Sequence, residues 1–232
     1  MSDSPVALEH PSPLQHHFAD MEQQRDVASL GMWLFLGTEI MFFGGMFAAY
    51  LIYRRLYYNE FAIGSRSISI WWGTINTIVL ICSSLTVALG VRAAQMGKRK
   101  LLVTLMLITM VFGVAFLGIK GYEWYQKFEE HHVPGSSFNI DKLIQEYPDA
   151  HLNPGHAQIY FSLYFAMTGL HALHMIVGLG IFSFLTYFAW KGRYTPEYHT
   201  PIEIGGLYWH FVDIVWIYLF PLLYLIDRKP IH

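Results

Sequence analysis

Six side chains of this 232-residue sequence combine acid, base or ligand chemistry with an apolar setting: Glu39, Glu123, His171, His174, His210 and Asp213. His171 and His174 lie three apart in Gly169-Leu170-His171-Ala172-Leu173-His174, and His210 and Asp213 repeat that spacing in Tyr208-Trp209-His210-Phe211-Val212-Asp213. On a helix such spacing puts both members on one face. Imidazoles and a carboxylate so arranged could ligate a metal or haem, relay a proton, or hydrogen-bond between helices. A bis-histidine haem needs imidazoles from two helices at one depth. His174 reads near the middle of its apolar segment and His210 near the start of its own, about 10 Å apart in depth at 1.5 Å per residue. None of the five apolar segments carries the Glu-x-x-His pair of di-iron bundles. We therefore expect no metal in this chain, and instead a polar seam joining segments four, five and one. Glu39 reads either as a proton-linked, lipid-facing carboxyl or as a neutral acid holding helix geometry. Glu123, in Lys120-Gly121-Tyr122-Glu123-Trp124-Tyr125, reads as a solvated acid at a helix end. Cys82 reads as a small packing residue, Pro221 as a kink in the last helix, and His131 and His132 as adjacent residues on an exposed loop.

The elements that must carry these groups are apolar runs. The chain is 54% hydrophobic and 14% charged, against about 25% charged in an ordinary soluble domain. A net charge of −2 excludes a basic nucleic-acid binder, and one Cys excludes a disulfide scaffold or a paired-cysteine zinc site. Residues 28–53, 71–91, 101–119, 159–190 and 204–226 are each long enough to span a hydrocarbon core of about 30 Å. The expected fold class is all-α, a polytopic membrane bundle of five transmembrane helices. Residues 1–27 read as a polar N-terminal tail without a cleavable signal, helical from about residue 17. Residues 28–232 read as the bundle, with an external loop at about 126–156 holding a short helix near 140–147. Tyr50, Tyr53, Tyr57, Tyr58, Trp71, Trp72, Tyr122, Trp124, Tyr125, Tyr187, Trp190 and Tyr194 read as interface anchors. The pairs Gly44/Ala48, Gly45/Ala49, Ser84/Ala88 and Thr168/Ala172 offer close helix approach. Arg25, Arg92, Lys98, Arg99, Lys100, Lys191 and Arg193 outnumber Arg54, Arg55, Arg66, Arg228 and Lys229. That bias places the N-terminus in the cytoplasm and the C-terminus outside.

Four stretches together resemble subunit III of the haem–copper oxygen reductases, the cytochrome c oxidase family. They are Gly31-Met32-Trp33-Leu34-Phe35-Leu36-Gly37-Thr38-Glu39-Ile40-Met41-Phe42-Phe43-Gly44-Gly45, Gly121-Tyr122-Glu123-Trp124, Tyr164-Phe165-Ala166-Met167-Thr168-Gly169-Leu170-His171-Ala172-Leu173-His174 with Gly178, and Tyr208-Trp209-His210-Phe211-Val212-Asp213-Ile214-Val215-Trp216. The resemblance covers roughly residues 16–228 and is to the five-helix bacterial form, which lacks the first two helices of the seven-helix type. It implies a subunit with no redox centre of its own, beside subunits I and II that carry haem and copper. It further implies bound phospholipid, support of proton uptake, and a bacterial inner-membrane location. The family's carbodiimide-reactive carboxyl corresponds to Glu39. With Glu123, His171, His174, His210 and Asp213 it makes up the proton-linked or lipid-cleft candidates; no residue is expected to be catalytic or metal-binding. A quinol-oxidase or nitric-oxide-reductase-associated paralogue is the alternative within the family. An independent proton channel or transporter is the alternative of another class, and a membrane cytochrome b a third.

Overall fold

The computed structural model describes residues 18–135, 138–148 and 152–226, and among them the chain is helical with no strand. The polar lead-in up to residue 17, and Arg228 and Lys229, lie outside the described residues. The five long helices are α1 (Met21–Leu56), α3 (Ile70–Gln95), α4 (Arg99–Glu129), α6 (Pro154–Trp190) and α7 (Thr200–Tyr224). Two short ones join them: α2 (Tyr58–Arg66) and α5 (Asp141–Glu146). Each expected span is present, and α5 falls where a short loop helix is expected. α2 has no counterpart in the sequence reading, because Asn59, Glu60 and Gly64 interrupt any apolar period. The long helices overrun the apolar runs: α4 has 31 residues and α6 has 37, about 46 and 55 Å at 1.5 Å per residue. Their ends therefore project beyond the hydrocarbon core.

Local chemistry sets the ends. Asp20 accepts from the Gln23 amide at 2.7 Å while Gln23 Oε1 accepts from the Ala19 amide at 2.8 Å, a reciprocal cap that starts α1. Asn153 accepts from the Gly155 amide at 2.9 Å, with Pro154 at the first turn of α6. Two helices end on a left-handed glycine, Gly97 after α3 and Gly192 after α6. Lys98 donates to the Ala93 carbonyl and Arg193 to that of Phe188, closing each terminus. α4 ends in the same way, but with His131 in the left-handed position (φ 59°) and His132 donating to the Lys127 carbonyl. His131 is thus a helix stop.

α3, α4, α6 and α7 form the body of the bundle, with α7 the most enclosed, while α1 leans on α6 and α7. α2 folds back under the start of α6, where Tyr57 stacks on His156 at 3.8 Å between ring centroids. Tyr50 is fully buried and donates its hydroxyl to the Leu222 carbonyl at 2.5 Å, so it fastens α1 to α7 rather than anchoring at the interface. Trp71, Tyr122, Tyr125 and Trp190 do face outward. Cys82 also faces outward instead of packing inside. α7 continues through Pro221 to Tyr224.

Close helix approach does not occur at Gly44 and Gly45, where an added Cβ would meet nothing within 4 Å. It occurs at Gly113, where a Cβ would lie 2.8 Å from the Trp209 ring and 3.0 Å from Leu179. Trp209 cannot retreat, since it is buried and its indole donates to Ser83 Oγ at 3.0 Å. Gly113→Ala is expected to cost about 1–3 kcal/mol through overpacking. Gly118→Ala, whose Cβ meets open space, is expected to be neutral; thermal unfolding of the two variants in detergent makes the comparison.

Candidate functional site

Glu39 lies midway along α1 and meets His174 of α6, with Oε2 3.1 Å from Nε2. His174 Nδ1 is 2.9 Å from the Leu170 carbonyl, which can only accept, so Nδ1 carries a hydrogen. The contact between Nε2 and Oε2 therefore needs a proton of its own. Placed on the imidazole it makes an ion pair; placed on the carboxyl it makes a neutral pair. The Phe43 ring packs on the imidazole at 5.2 Å, and the Tyr208 hydroxyl donates to the His174 carbonyl at 3.0 Å. The pair forms the inner end of a groove of about 620 Å³ between α1, α6 and α7, walled by Met32, Phe35, Val177, Ile181 and Ile204 among others. A second apolar groove of about 500 Å³ runs along the opposite face of α1 against α7.

The remaining histidines point elsewhere. His171 is fully buried between the rings of Phe116 (5.3 Å) and Trp216 (5.1 Å), one helix turn from His174 but on a different interface. His210 turns to α3, where its Nδ1 is 2.7 Å from Ser84 Oγ. His210 lies ten residues into α7, about 15 Å from its start, and His174 lies about 24 Å from the adjoining end of α6, so the helix bounds keep an offset of about 9 Å. The two imidazoles also differ in direction, His174 facing α1 and His210 facing α3. Asp213, one turn further along α7, is buried, and neither carboxyl oxygen has a hydrogen-bond partner among the described residues. The expected seam between α1, α6 and α7 is thus real at Glu39 and His174, but His210 belongs to an α3–α7 contact. Among the described residues no three His, Cys, Asp or Glu side chains converge as a metal-ligand set.

Glu123 overturns its reading as a solvated acid. It is buried together with Lys120, a residue the sequence reading passed over. The Lys120 ammonium donates to Glu123 Oε1 at 3.0 Å, to the Tyr164 hydroxyl at 2.9 Å and to the Tyr224 hydroxyl at 2.6 Å. Both phenols in turn donate to the same Glu123 Oε1, Tyr224 at 2.6 Å and Tyr164 in a shorter contact. Three donors of an ammonium and both phenol protons are thereby used, and α4, α6 and α7 are tied at one point. The Trp216 ring lies 5.4 Å from the ammonium and shields it. The signal was the i, i+3 spacing of Lys120 and Glu123. It was masked because both follow the apolar run of α4, while their partners Tyr164 and Tyr224 are distant in sequence.

The family model for cytochrome c oxidase subunit III matches residues 136–227. A probable cytochrome c oxidase subunit 3 of Nocardia farcinica is 32% identical over 87% of this chain and 89% of its own length. That of Mycobacterium tuberculosis is 33% identical over the same shares, and the cytochrome c oxidase subunit 3 of Thermostichus vulcanus is 29% identical over 88% and 89%. The chain belongs to the cytochrome c oxidase subunit III family. It is a multi-pass membrane subunit of a haem–copper terminal oxidase, an oxidoreductase complex of aerobic respiration.

In this subunit III the end of α4 carries a second charged contact, outside the membrane. Glu130 meets the Lys127 ammonium at 2.5 Å and His132 at 3.1 Å, while Lys127 also donates to the Ser67 carbonyl at 2.8 Å. His132 is buried against the Phe161 ring, not exposed as its loop position suggests. Burial pushes the Glu130 carboxyl up, but the hydrogen bond and charge of Lys127, with His132, outweigh it and hold it below the ordinary 4.5. A depressed folded value means stability that is present above about pH 4.5 and lost as pH falls through that lower value. Acidification below about pH 4.5 is expected to loosen the turn after α4, raising its cleavage in limited proteolysis; Glu130→Gln is expected to remove that pH dependence. For the buried knot, Glu123→Gln leaves an uncompensated ammonium and is expected to cost about 3–5 kcal/mol. Lys120→Met with Glu123→Leu is expected to recover most of that loss, measured as the amount of assembled oxidase.

Proposed function

We propose that this chain is the non-catalytic subunit III that packs beside subunits I and II, which hold the haem and copper. Its own role is to seat phospholipid and to support proton uptake and catalytic endurance in its neighbours. The observation that carries this reading is the Glu39–His174 contact at the inner end of an apolar groove of about 620 Å³ beside α1. A groove walled by Met32, Phe35, Val177 and Ile181 suits an acyl chain, and a one-proton carboxyl–imidazole pair suits a site that gains or loses a proton without redox chemistry. His171, His174 and His210 face three different partners, which favours placing the redox centres in other chains. The sequence's bias of basic residues supports a cytoplasmic N-terminus and an external C-terminus.

Glu39→Gln tests this role directly, since the amide can still donate to His174 Nε2 but carries no acidic proton. The variant oxidase is expected to show an initial oxygen-reduction rate close to the parent. Its turnovers before inactivation, or its proton uptake rate, are expected to fall about tenfold, equivalent to about 1.4 kcal/mol. Unchanged endurance and proton uptake would remove Glu39 from the functional site. Stoichiometric iron or copper on this subunit, measured after separation from the others, would overturn the non-catalytic assignment.

A further inference from the structure

A cavity of about 270 Å³ between α3 and α7, lined by Leu80, Ile81, Ser84, Asp213 and Ile217, adjoins the 500 Å³ groove, sharing His210 and Ile214 with it, and is separate from the 620 Å³ groove. Asp213 is 3% exposed and both its carboxyl oxygens lack a partner among the described residues. The Ser84 hydroxyl on the wall, 2.7 Å from His210 Nδ1, also faces the Asp213 carboxyl, and its single proton leaves the second carboxyl oxygen without a donor. Ile81, Ile214 and Ile217 are about half exposed and form the mouth, so the cavity opens sideways into the surroundings of the bundle.

Its depth decides what can fill it. Asp213 lies about 20 Å from the Thr200 end of α7 and about 17 Å from the Tyr224 end at 1.5 Å per residue. Ser84 is equally central in α3, about 21 Å from Ile70 and about 17 Å from Gln95. The mouth therefore opens at the middle of the hydrocarbon layer. Acyl chains arrive there without a hydrogen-bond donor, and headgroups stay at the boundary. A buried carboxyl in hydrocarbon is retained where another group satisfies it. The cavity is also smaller than the roughly 300–1,000 Å³ of small-molecule sites, a size suited to one side chain.

We propose that this cavity is a socket on the assembly face of the subunit, which receives a hydrogen-bond-donating side chain from a transmembrane helix of a neighbouring oxidase subunit. The inference rests on the proposed placement beside the core subunits. Asp213 is then the acceptor, and the Ser84–His210 pair holds the socket open from the α3 side. Ile81, Ile214 and Ile217 form the apolar rim against the partner helix. α3 and α7 thus form an interface, whereas the 620 Å³ groove on the other flank of α1 remains for lipid.

The test uses the purified holo-oxidase carrying a benzoylphenylalanine photo-crosslinker in place of Ile217. Irradiation and peptide mass spectrometry are expected to give an adduct on a transmembrane peptide of another oxidase subunit, within one helix turn of a donor side chain. Adducts confined to lipid acyl chains would overturn the proposal, as would a density map showing only ordered water at Asp213. Asp213→Leu is expected to lower the ratio of this subunit to haem iron in mild detergent about tenfold, while Asp213→Asn, which keeps an acceptor, stays within about twofold. Ile81→Trp blocks the mouth without altering the carboxyl or the grooves beside α1 and is expected to lower that ratio as well. Retention of all three variants at parental stoichiometry would sink the socket. Failure of the unmodified chain to co-purify with haem–copper subunits would instead sink the placement on which it rests.

Discussion

One ammonium group holds three helices of this subunit together. Lys120 has three donors, and Glu123, Tyr164 and Tyr224 take one each. Since hydrocarbon offers no hydrogen bonds, a charge can sit at this boundary only with every donor matched. Matching them requires α4, α6 and α7 to arrive together at a fixed rotation. That rotation turns Phe116 and Trp216 against His171, and directs His174 of the next turn toward α1. The membrane-facing Glu39 contact thus depends on a knot that contains none of its atoms.

The five spans were legible because nothing but hydrophobic length decides whether a helix crosses a membrane. Their ends were not, because Arg99, Lys120 and Lys127 read as boundaries while the helix continues through or from them. Lys120 and Lys127 are buried by partners distant in sequence: Tyr224 for the first and the Ser67 carbonyl for the second. Tertiary partners of that kind leave no local trace. The same limit applies to Glu123, whose position at the end of an apolar run is compatible with water or with a buried pair. Only its partners Tyr164 and Tyr224, distant in sequence, distinguish them.

The histidines divide along the same line. A spacing of three places His171 and His174 on one side of α6, yet one turn of helix is enough to face two different neighbours. His174 meets α1, and His171 meets α4 and α7. The i, i+4 small-residue pattern failed at Gly44 and Gly45 for a related reason. It marks where helices could approach, and α1 instead stands away from α7 there, leaving an apolar groove lined by Gly44. The residues at true contact, Gly113 and Gly205 among them, sit beneath large side chains such as Trp209 and Leu185, and only the packed structure reveals those.

α1 and α7 thus have opposite characters within one bundle. α7 is enclosed and fastened at several levels: Trp209 to Ser83, His210 to Ser84, Trp216 to Thr77, and Tyr224 to the knot. α1 has a hydroxyl bolt at Tyr50 near one end and the Glu39–His174 contact at mid-depth, with apolar grooves on both flanks. Those contacts leave α1 bordered by open apolar surface on both flanks while the body behind it stays packed. Its mid-membrane contact is a carboxyl–imidazole pair that stays hydrogen-bonded whichever partner carries the shared proton. Packing and proton chemistry therefore meet at Glu39: the contact that fastens α1 at mid-depth also holds the shared proton, at the inner end of an open apolar groove.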